Sequence, residues 1–272
     1  MKASHLIAAL FSMLAAPVWA SNEAWENVRA MLYGDRPMQN GDAFIAIDAP
    51  YRTPDDARAQ LAAQIAAPRG TKVAKVTLVL DENPMPVSAV FELEEPLPSF
   101  YFDVTMRVNG PTPMHVIAET TDGRLWVSET FVKTSGLGAC AAPPGTDPEL
   151  ALANLGTMEA ELVGRVPALN TRARLSSLGA NRANKMDLNI DHPSHSGMQM
   201  DQISLLFIPM RYVETVDIDL DGAGYVQMTG SISLSENPRV GISVPSRAQA
   251  VDVTMTDTDG TVSHLHKKLA GF

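Results

Sequence analysis

The chain holds one cysteine, Cys140, in the stretch Thr134-Ser135-Gly136-Leu137-Gly138-Ala139-Cys140-Ala141-Ala142-Pro143-Pro144-Gly145. A thiolate is a nucleophile and a point of covalent attachment, whereas an inert structural cysteine sits among large apolar side chains. Within four residues on either side of Cys140 the only large apolar neighbour is Leu137. Glycine leaves the backbone free over most of its allowed space. Gly136, Gly138, Ala139, Ala141 and Ala142 therefore predict a mobile arm that presents the sulfur and little else. The chemistry this predicts is attachment of a cargo.

Other residue groups could carry chemistry of their own. His192, His195, Met198 and Met200 lie close together, and His264 and His266 fall on one face of a strand. Imidazole and thioether ligands suit copper. Methionine is also ordinary core filler, however, and Asp191-His192-Pro193 has the form of a turn, so no metal is assigned. Asp217-Ile218-Asp219-Leu220-Asp221-Gly222 resembles the start of a calcium loop, but its twelfth position is Met228 where a bidentate glutamate is needed. The interleaved Ile218 and Leu220 instead predict a half-buried strand running into a hairpin. The acidic pairs Asp55-Asp56 and Glu94-Glu95 are expected on the solvated surface. No serine elbow, phosphate loop or zinc-protease helix is present. The expectation is a protein that is not an enzyme, with no cofactor.

The ends and the composition set its surroundings. Lys2, the apolar run from Leu6 to Val18 and the small-residue site Val18-Trp19-Ala20 predict a secretory leader over residues 1–20. The formal net charge is −10; without Lys2, 20 basic residues face 31 acidic ones, giving −11. That balance argues against nucleic acid and anionic membrane surfaces as partners. A lone cysteine in an oxidising compartment indicates either a reactive thiol or a bond between two chains through Cys140.

The elements that must position the thiol are mostly strands. A helix is predicted over Asn22 to Leu32, ended at Gly34-Asp35-Arg36-Pro37. Strand-like runs follow at Ala43–Ile47, Val73–Leu80, Val87–Leu93, Phe100–Val108, Met114–Glu119 and Leu125–Phe131. Pro54 to Ala67 is alanine-rich and reads locally as a helix. Residues 141–180 are expected to be a linker with a short helical turn over Pro148 to Leu155. A second series of strands is predicted at Lys185–Ile190, Ile203–Ile208, Tyr212–Leu220, Tyr225–Ile232, Val240–Val244, Ala250–Met255 and Val262–Lys267. Asp122-Gly123, Asp221-Gly222 and Asp259-Gly260 mark hairpins. The fold class expected is all-β, as antiparallel sandwiches or barrels. The domains expected are 21–140, ending in the cysteine arm, and 181–272.

In this order the motifs resemble a fusion of the two subunits of the SoxYZ sulfur-oxidation carrier, the SoxY-like part first. The SoxY-like features are Gly34-Asp35-Arg36-Pro37, Asp81-Glu82-Asn83-Pro84-Met85-Pro86, Arg107 and Asp122-Gly123. The SoxZ-like features are His192-Pro193, Ser196-Gly197, Ile208-Pro209, Ser235-Glu236-Asn237-Pro238 and Asp257-Thr258-Asp259-Gly260. The resemblance implies two immunoglobulin-like β-sandwiches in tandem and a swinging arm whose cysteine carries a covalent intermediate, such as one derived from thiosulfate, between periplasmic enzymes. In that family two glycines flank the cysteine on each side and the arm ends the SoxY chain. Here only Gly138 remains of the four, and the chain runs on into the next domain, so a loop anchored at both ends reaches less far.

Two readings of function follow. In the first, Cys140 holds a sulfur-containing adduct and presents it to periplasmic redox or hydrolytic enzymes. In the second, the chain is a docking module for a periplasmic quinoprotein dehydrogenase or cytochrome, with the thiol incidental. Fused carriers of this kind resemble those associated with quinoprotein dehydrogenases.

Overall fold

The computed structural model describes residues 23–136, 139, 148–169, 183–201 and 204–269. The expected leader, and Cys140 itself, lie outside the described residues. Helix α1 (Glu23–Tyr33) comes first, followed by β1 (Met38–Asn40), β2 (Ile45–Asp48), β3 (Ala59–Ala66), β4 (Val73–Leu80) and β5 (Val87–Leu97). Then come β6 (Ser99–Met106), β7 (Thr112–Thr120), β8 (Leu125–Val132), α2 (Pro148–Ala153) and β9 (Met158–Arg165). The last part holds β10 (Asn184–Ile190), β11 (Val213–Leu220), β12 (Ala223–Thr229), β13 (Arg239–Val244), β14 (Ala250–Asp257) and β15 (Val262–Lys268).

These strands form two immunoglobulin-like units that share their sheets. The nine-stranded sheet runs β1-β8-β7-β4-β5-β12-β11-β14-β15, and the six-stranded sheet runs β2-β3-β6-β13-β10-β9. The units therefore meet edge to edge twice. β5 pairs with β12 (Val90 opposite Thr229, Leu93 opposite Val226), and β6 pairs with β13 (Val104 opposite Val240). One apolar core fills the space between the sheets across both units, from Leu61, Leu78 and Phe91 to Ile218, Met228 and Val253. Phe91 packs against Phe100 and Phe102, with ring centroids 5.6 and 4.9 Å away. Pairing the two inner edges removes the exposed strand edges that isolated sandwiches would present there.

Three expectations are corrected. The segment from Pro54 to Ala67 is not helical: it contains β3, hydrogen-bonded between β2 and β6. Leu61 and Ile65, four residues apart, fit a helix face and a strand face equally, because four is close to the helical repeat and a multiple of two. Pairing on both sides, with Leu61, Ala63 and Ile65 turned into the core, settles it as a strand. The expected linker over 141–180 likewise contains a strand, β9, which edges the six-stranded sheet by pairing with β10. Its alternation of Met158, Ala160 and Leu162 with Glu159 and Glu161 is that of an edge strand with one wet face. In the Ile203–Ile208 run, Ile203 lies outside the described residues, and Phe207 makes a single bridge to Met200 in place of a regular strand.

Helix α1 lies on the outer face of the nine-stranded sheet. Val28 packs with Val79, Ile117 and Leu125, Trp25 stacks on His115 with centroids 3.8 Å apart, and the Tyr33 hydroxyl donates to Thr77 at 3.0 Å. Gly34, at φ 58°, closes the helix with its N–H on the Ala30 carbonyl. No described helix is long and apolar enough to cross a membrane.

Candidate functional site

The strand registers place the start of the cysteine stretch. β8 ends at Val132 beside Thr112, β4 ends at Leu80 beside Met114, and β6 ends next to the loop that starts β13. Carried through β5, β12, β11, β14 and β10, the same registers put loops 53–58, 81–86, 107–111, 133–136 and 230–238, and the segments 191–201 and 204–212, at one end of the double sandwich.

At that end the chain leaving β8 is tied to the loop before β3. Lys133 N donates to Tyr51 O and Thr53 N donates to Lys133 O, both at 2.8 Å, and Arg52 Nη1 donates to Thr134 O at 2.9 Å. Two successive backbone donors then converge on one carboxylate: Ser135 N on Asp56 Oδ1 at 2.5 Å and Gly136 N on Asp56 Oδ2 at 3.1 Å. Asp56 is buried, and its own carbonyl accepts from Val108 N at 2.8 Å, so the clamp is part of the frame. Hydrogen bonds to an ionised acceptor are worth more than neutral ones, about 1.5–3 kcal/mol each. Gly136 turns the chain at φ 93°, a conformation that side-chain-bearing residues rarely adopt.

The expected surface role of Asp56 is thereby corrected. Asp55, Glu94 and Glu95 are exposed as predicted, but Asp56 faces inward to hold Ser135 and Gly136. No local signal in an Asp-Asp pair announces this, because the two partners lie 79 and 80 residues further along. Of the arm residues, Gly136 is exposed and Ala139 is buried; Gly138, Cys140, Ala141 and Ala142 lie outside the described residues. A shallow hollow of about 470 Å³ flanks the clamp, lined by Asp48, Pro50, Pro54, Arg58, Gln60 and Ala62.

The motif residues around this end prove to be braces. Asn83, buried, donates from its amide nitrogen to Arg107 O at 2.9 Å and to Ser233 Oγ at 2.8 Å, and accepts from Asn109 N at 3.0 Å. Arg107 is fully buried across the seam, with Nη1 on Leu234 O at 2.5 Å and its N–H on Ser233 O at 2.6 Å. Asn237 and His192 exchange backbone and side-chain bonds at 2.8 and 2.9 Å. On the outer side of the six-stranded sheet, Asp103 of β6 accepts from Lys185 at 2.7 Å and from Arg239 at 3.0 Å, adding ion pairs to the seam.

The histidines are placed one by one. His192 is buried, takes the Ser194 N–H on Nδ1 at 2.9 Å and faces Asp257 at 3.5 Å; burial pushes its imidazole down to about 4 against the pull of Asp257. Burial alone would raise Asp257, but hydrogen bonds from Arg211 and from Thr261 N–H outweigh it and hold the carboxyl low. His195 contacts Gln199 at 2.9 Å, while His264 and His266 sit on the exposed face of β15 against Thr254 and Asp252. Among the described residues no group of three or more His, Cys, Asp or Glu is placed to hold a metal ion.

Comparison with protein families matches the chain to SoxY, sulfur oxidation protein SoxY, over residues 29–140, and to SoxZ, sulphur oxidation protein SoxZ, over residues 175–267. The chain is a fused SoxYZ-like sulfur-oxidation protein. The seam through β5–β12 and β6–β13 is thus the junction of a SoxY-like unit with a SoxZ-like unit. The SoxY match ends on Cys140. No curated protein matches the chain. Solved structures with a partial likeness include two variants of superoxide reductase (neelaredoxin) from Ignicoccus hospitalis. One is 18% identical with a TM-score of 0.26, covering 34% of this chain and 80% of its own; the other is 15% identical with a TM-score of 0.27, covering 36% and 94%.

Proposed function

We propose that this SoxYZ-like protein is a periplasmic carrier that holds a sulfur-containing intermediate covalently on Cys140 and hands it between partner enzymes. The observation that carries the reading is that the SoxY match runs to its last residue on the sole cysteine of the chain. The clamp at Asp56 supports it, because a fixed root at Ser135 and Gly136 gives the residues beyond a defined starting point. Joining a reduced sulfur species to the thiol as an S–S bond releases two electrons and one proton. A redox partner such as a cytochrome takes the electrons, and a hydrolytic partner releases the cargo by adding water across the S–S bond, the hydroxyl going to the cargo sulfur and the proton to the Cys140 thiolate. The SoxZ-like unit, fused through both sheets, braces the SoxY-like unit and adds surface at the same end.

The test is the intact mass of the protein purified from the periplasm without reductant. A mass increment on Cys140 that disappears on reduction, and is absent from Cys140→Ser, is the expected result. Unmodified thiol under sulfur-oxidising growth, with Cys140→Ser retaining full pathway flux, would reject the carrier reading and leave a docking module.

A further inference from the structure

We propose that the exposed apolar group Met198, Met200, Leu205, Leu206, Phe207 and Met210, carried on the paired segments 195–201 and 204–211 of the SoxZ-like unit (the hairpin below), is the docking surface for the protein that takes cargo from Cys140, a partner presenting an apolar recess with a basic margin. The identity of that partner rests on the carrier reading; the surface itself rests on the following observations.

The hairpin is built to hold apolar side chains outward. Its base closes through the His195–Arg211 bridge and its far end through the Met200–Phe207 bridge. Ile208 N donates to Gln199 O at 2.8 Å and Asp201 N to Leu206 O at 2.9 Å. The base is fixed to the frame by Arg211 Nε on Asp257 at 2.8 Å. On this support Leu205, Leu206 and Phe207 are 67%, 68% and 66% exposed, with Met198, Met200 and Met210 also exposed beside them. Leu205 sits at φ 58°, a left-handed conformation that is unfavourable for a leucine and is kept here with its side chain in water. Single exposed apolar residues are ordinary, but a contiguous group marks an interaction site. Methionine and phenylalanine are well suited to it, the first by adaptable shape and the second by large buried area.

Position and charge choose the occupant. The hairpin leaves the sandwich at the same end as the Asp56 clamp on Ser135 and Gly136, the end to which a protein acting on Cys140 would come under the carrier reading. The charged residues at its borders are acidic: Asp201 lies within it, and Glu214 and Asp259 are exposed next to its base. Arg211, the basic residue in the hairpin, is taken up by Asp257 and Asp259. With a net charge of −10, a second copy of this chain or an anionic lipid surface is repelled, and a basic margin is attracted.

The experiment places the photo-crosslinker p-benzoylphenylalanine at Phe207 in the full chain in its own cells, with Arg69 at the opposite end as the control position. The expected result is a light-dependent adduct at 207, absent at 69, with one heterologous protein that also processes the loaded Cys140 when purified. For that protein Phe207→Asp is expected to raise KM about tenfold or more with kcat little changed, while the melting temperature stays within the range usual for a surface change. Leu206→Asp serves as a second variant should Phe207→Asp unfold. Adducts only between two copies of the chain, adducts only with lipid, or equal kcat/KM for both Asp variants and the parent would each overturn the proposal. None of these outcomes touches the carrier reading, which stands or falls on the mass of Cys140.

Discussion

Asp56 and Ser135, 79 residues apart in the chain, are joined by a 2.5 Å hydrogen bond from the Ser135 N–H to the buried carboxylate. The same carboxylate takes the next N–H, that of Gly136, at 3.1 Å, so one side chain fixes two peptide units at the root of the cysteine stretch. Removing the acceptor leaves both donors without it. Asp56→Ala is expected to cost about 2–3 kcal/mol in stability. It is also expected to speed hydrogen exchange at the Ser135 and Gly136 amides beyond the global change, while the β-sheet circular dichroism is kept. Asp56→Asn, which keeps one side-chain acceptor, is expected to fall between the two. Amide exchange followed by mass spectrometry measures this directly; unchanged protection at 135 and 136 would show that the clamp does not form in solution.

Cys140→Ser is expected to leave the melting temperature unchanged and to abolish the covalent adduct. Loading by the parent is expected to climb with pH toward the ~8.5 of a free thiol, close to tenfold per pH unit well below it, because the thiolate is the reacting form. A loading rate that is flat from pH 6 to pH 8 would mean that the thiolate is already formed at neutral pH.

The seam predicts that the two units unfold together. They share one core and two continuous sheets, and Asn83 ties Arg107 of one unit to Ser233 of the other. Asn83→Ala is expected to lower stability by about 2–4 kcal/mol, since it leaves buried donors and acceptors unmet. Calorimetry is expected to show one transition in both proteins, shifted down in the variant. Two separate peaks in the parent would show that the seam is too weak to couple the units.

The buried His192 makes stability depend on acidity. Its folded value of about 4 lies below the ~6.5 of an unfolded histidine, so between these values the unfolded chain binds the extra proton. Stability is therefore full above about pH 6.5 and is lost as the pH falls toward 4, by an amount on the order of 3 kcal/mol. Asp257, held low, contributes a further loss in more acid solution, below the normal carboxylate range. His192→Asn offers Ser194 N an acceptor in nearly the same place without a titrating ring. It is expected to flatten the melting temperature between pH 6.5 and pH 4; an unchanged slope would assign the acid sensitivity to other groups.

Part of this fold is legible in the sequence alone. The β4 run over Val73–Leu80 and the hairpins at Asp122-Gly123 and Asp221-Gly222 are written in local alternation and turn chemistry, and they form where predicted. The motifs behind the resemblance were correctly ordered, yet their roles were not readable: Asn83, Arg107 and Asn237 serve the seam and the turn beside it. The alanines of β3 carry helical propensity, which pairing on two sides overrides. His192 and Met198 are near neighbours in sequence, but the first is buried in the frame and the second exposed on the hairpin.

By itself the sequence determined the all-β class, the turns, the order of the SoxY-like and SoxZ-like parts and the single thiol, because each rests on residue type or on spacing of a few positions. Only the tertiary structure decided that the two units merge through both sheets, that Asp56 clamps Ser135 and Gly136, and that the paired segments 195–201 and 204–211 share their end. Those relations join positions from tens of residues to more than a hundred apart. They are set by strand register and by which edges pair, and neither leaves a mark on the local pattern of side chains.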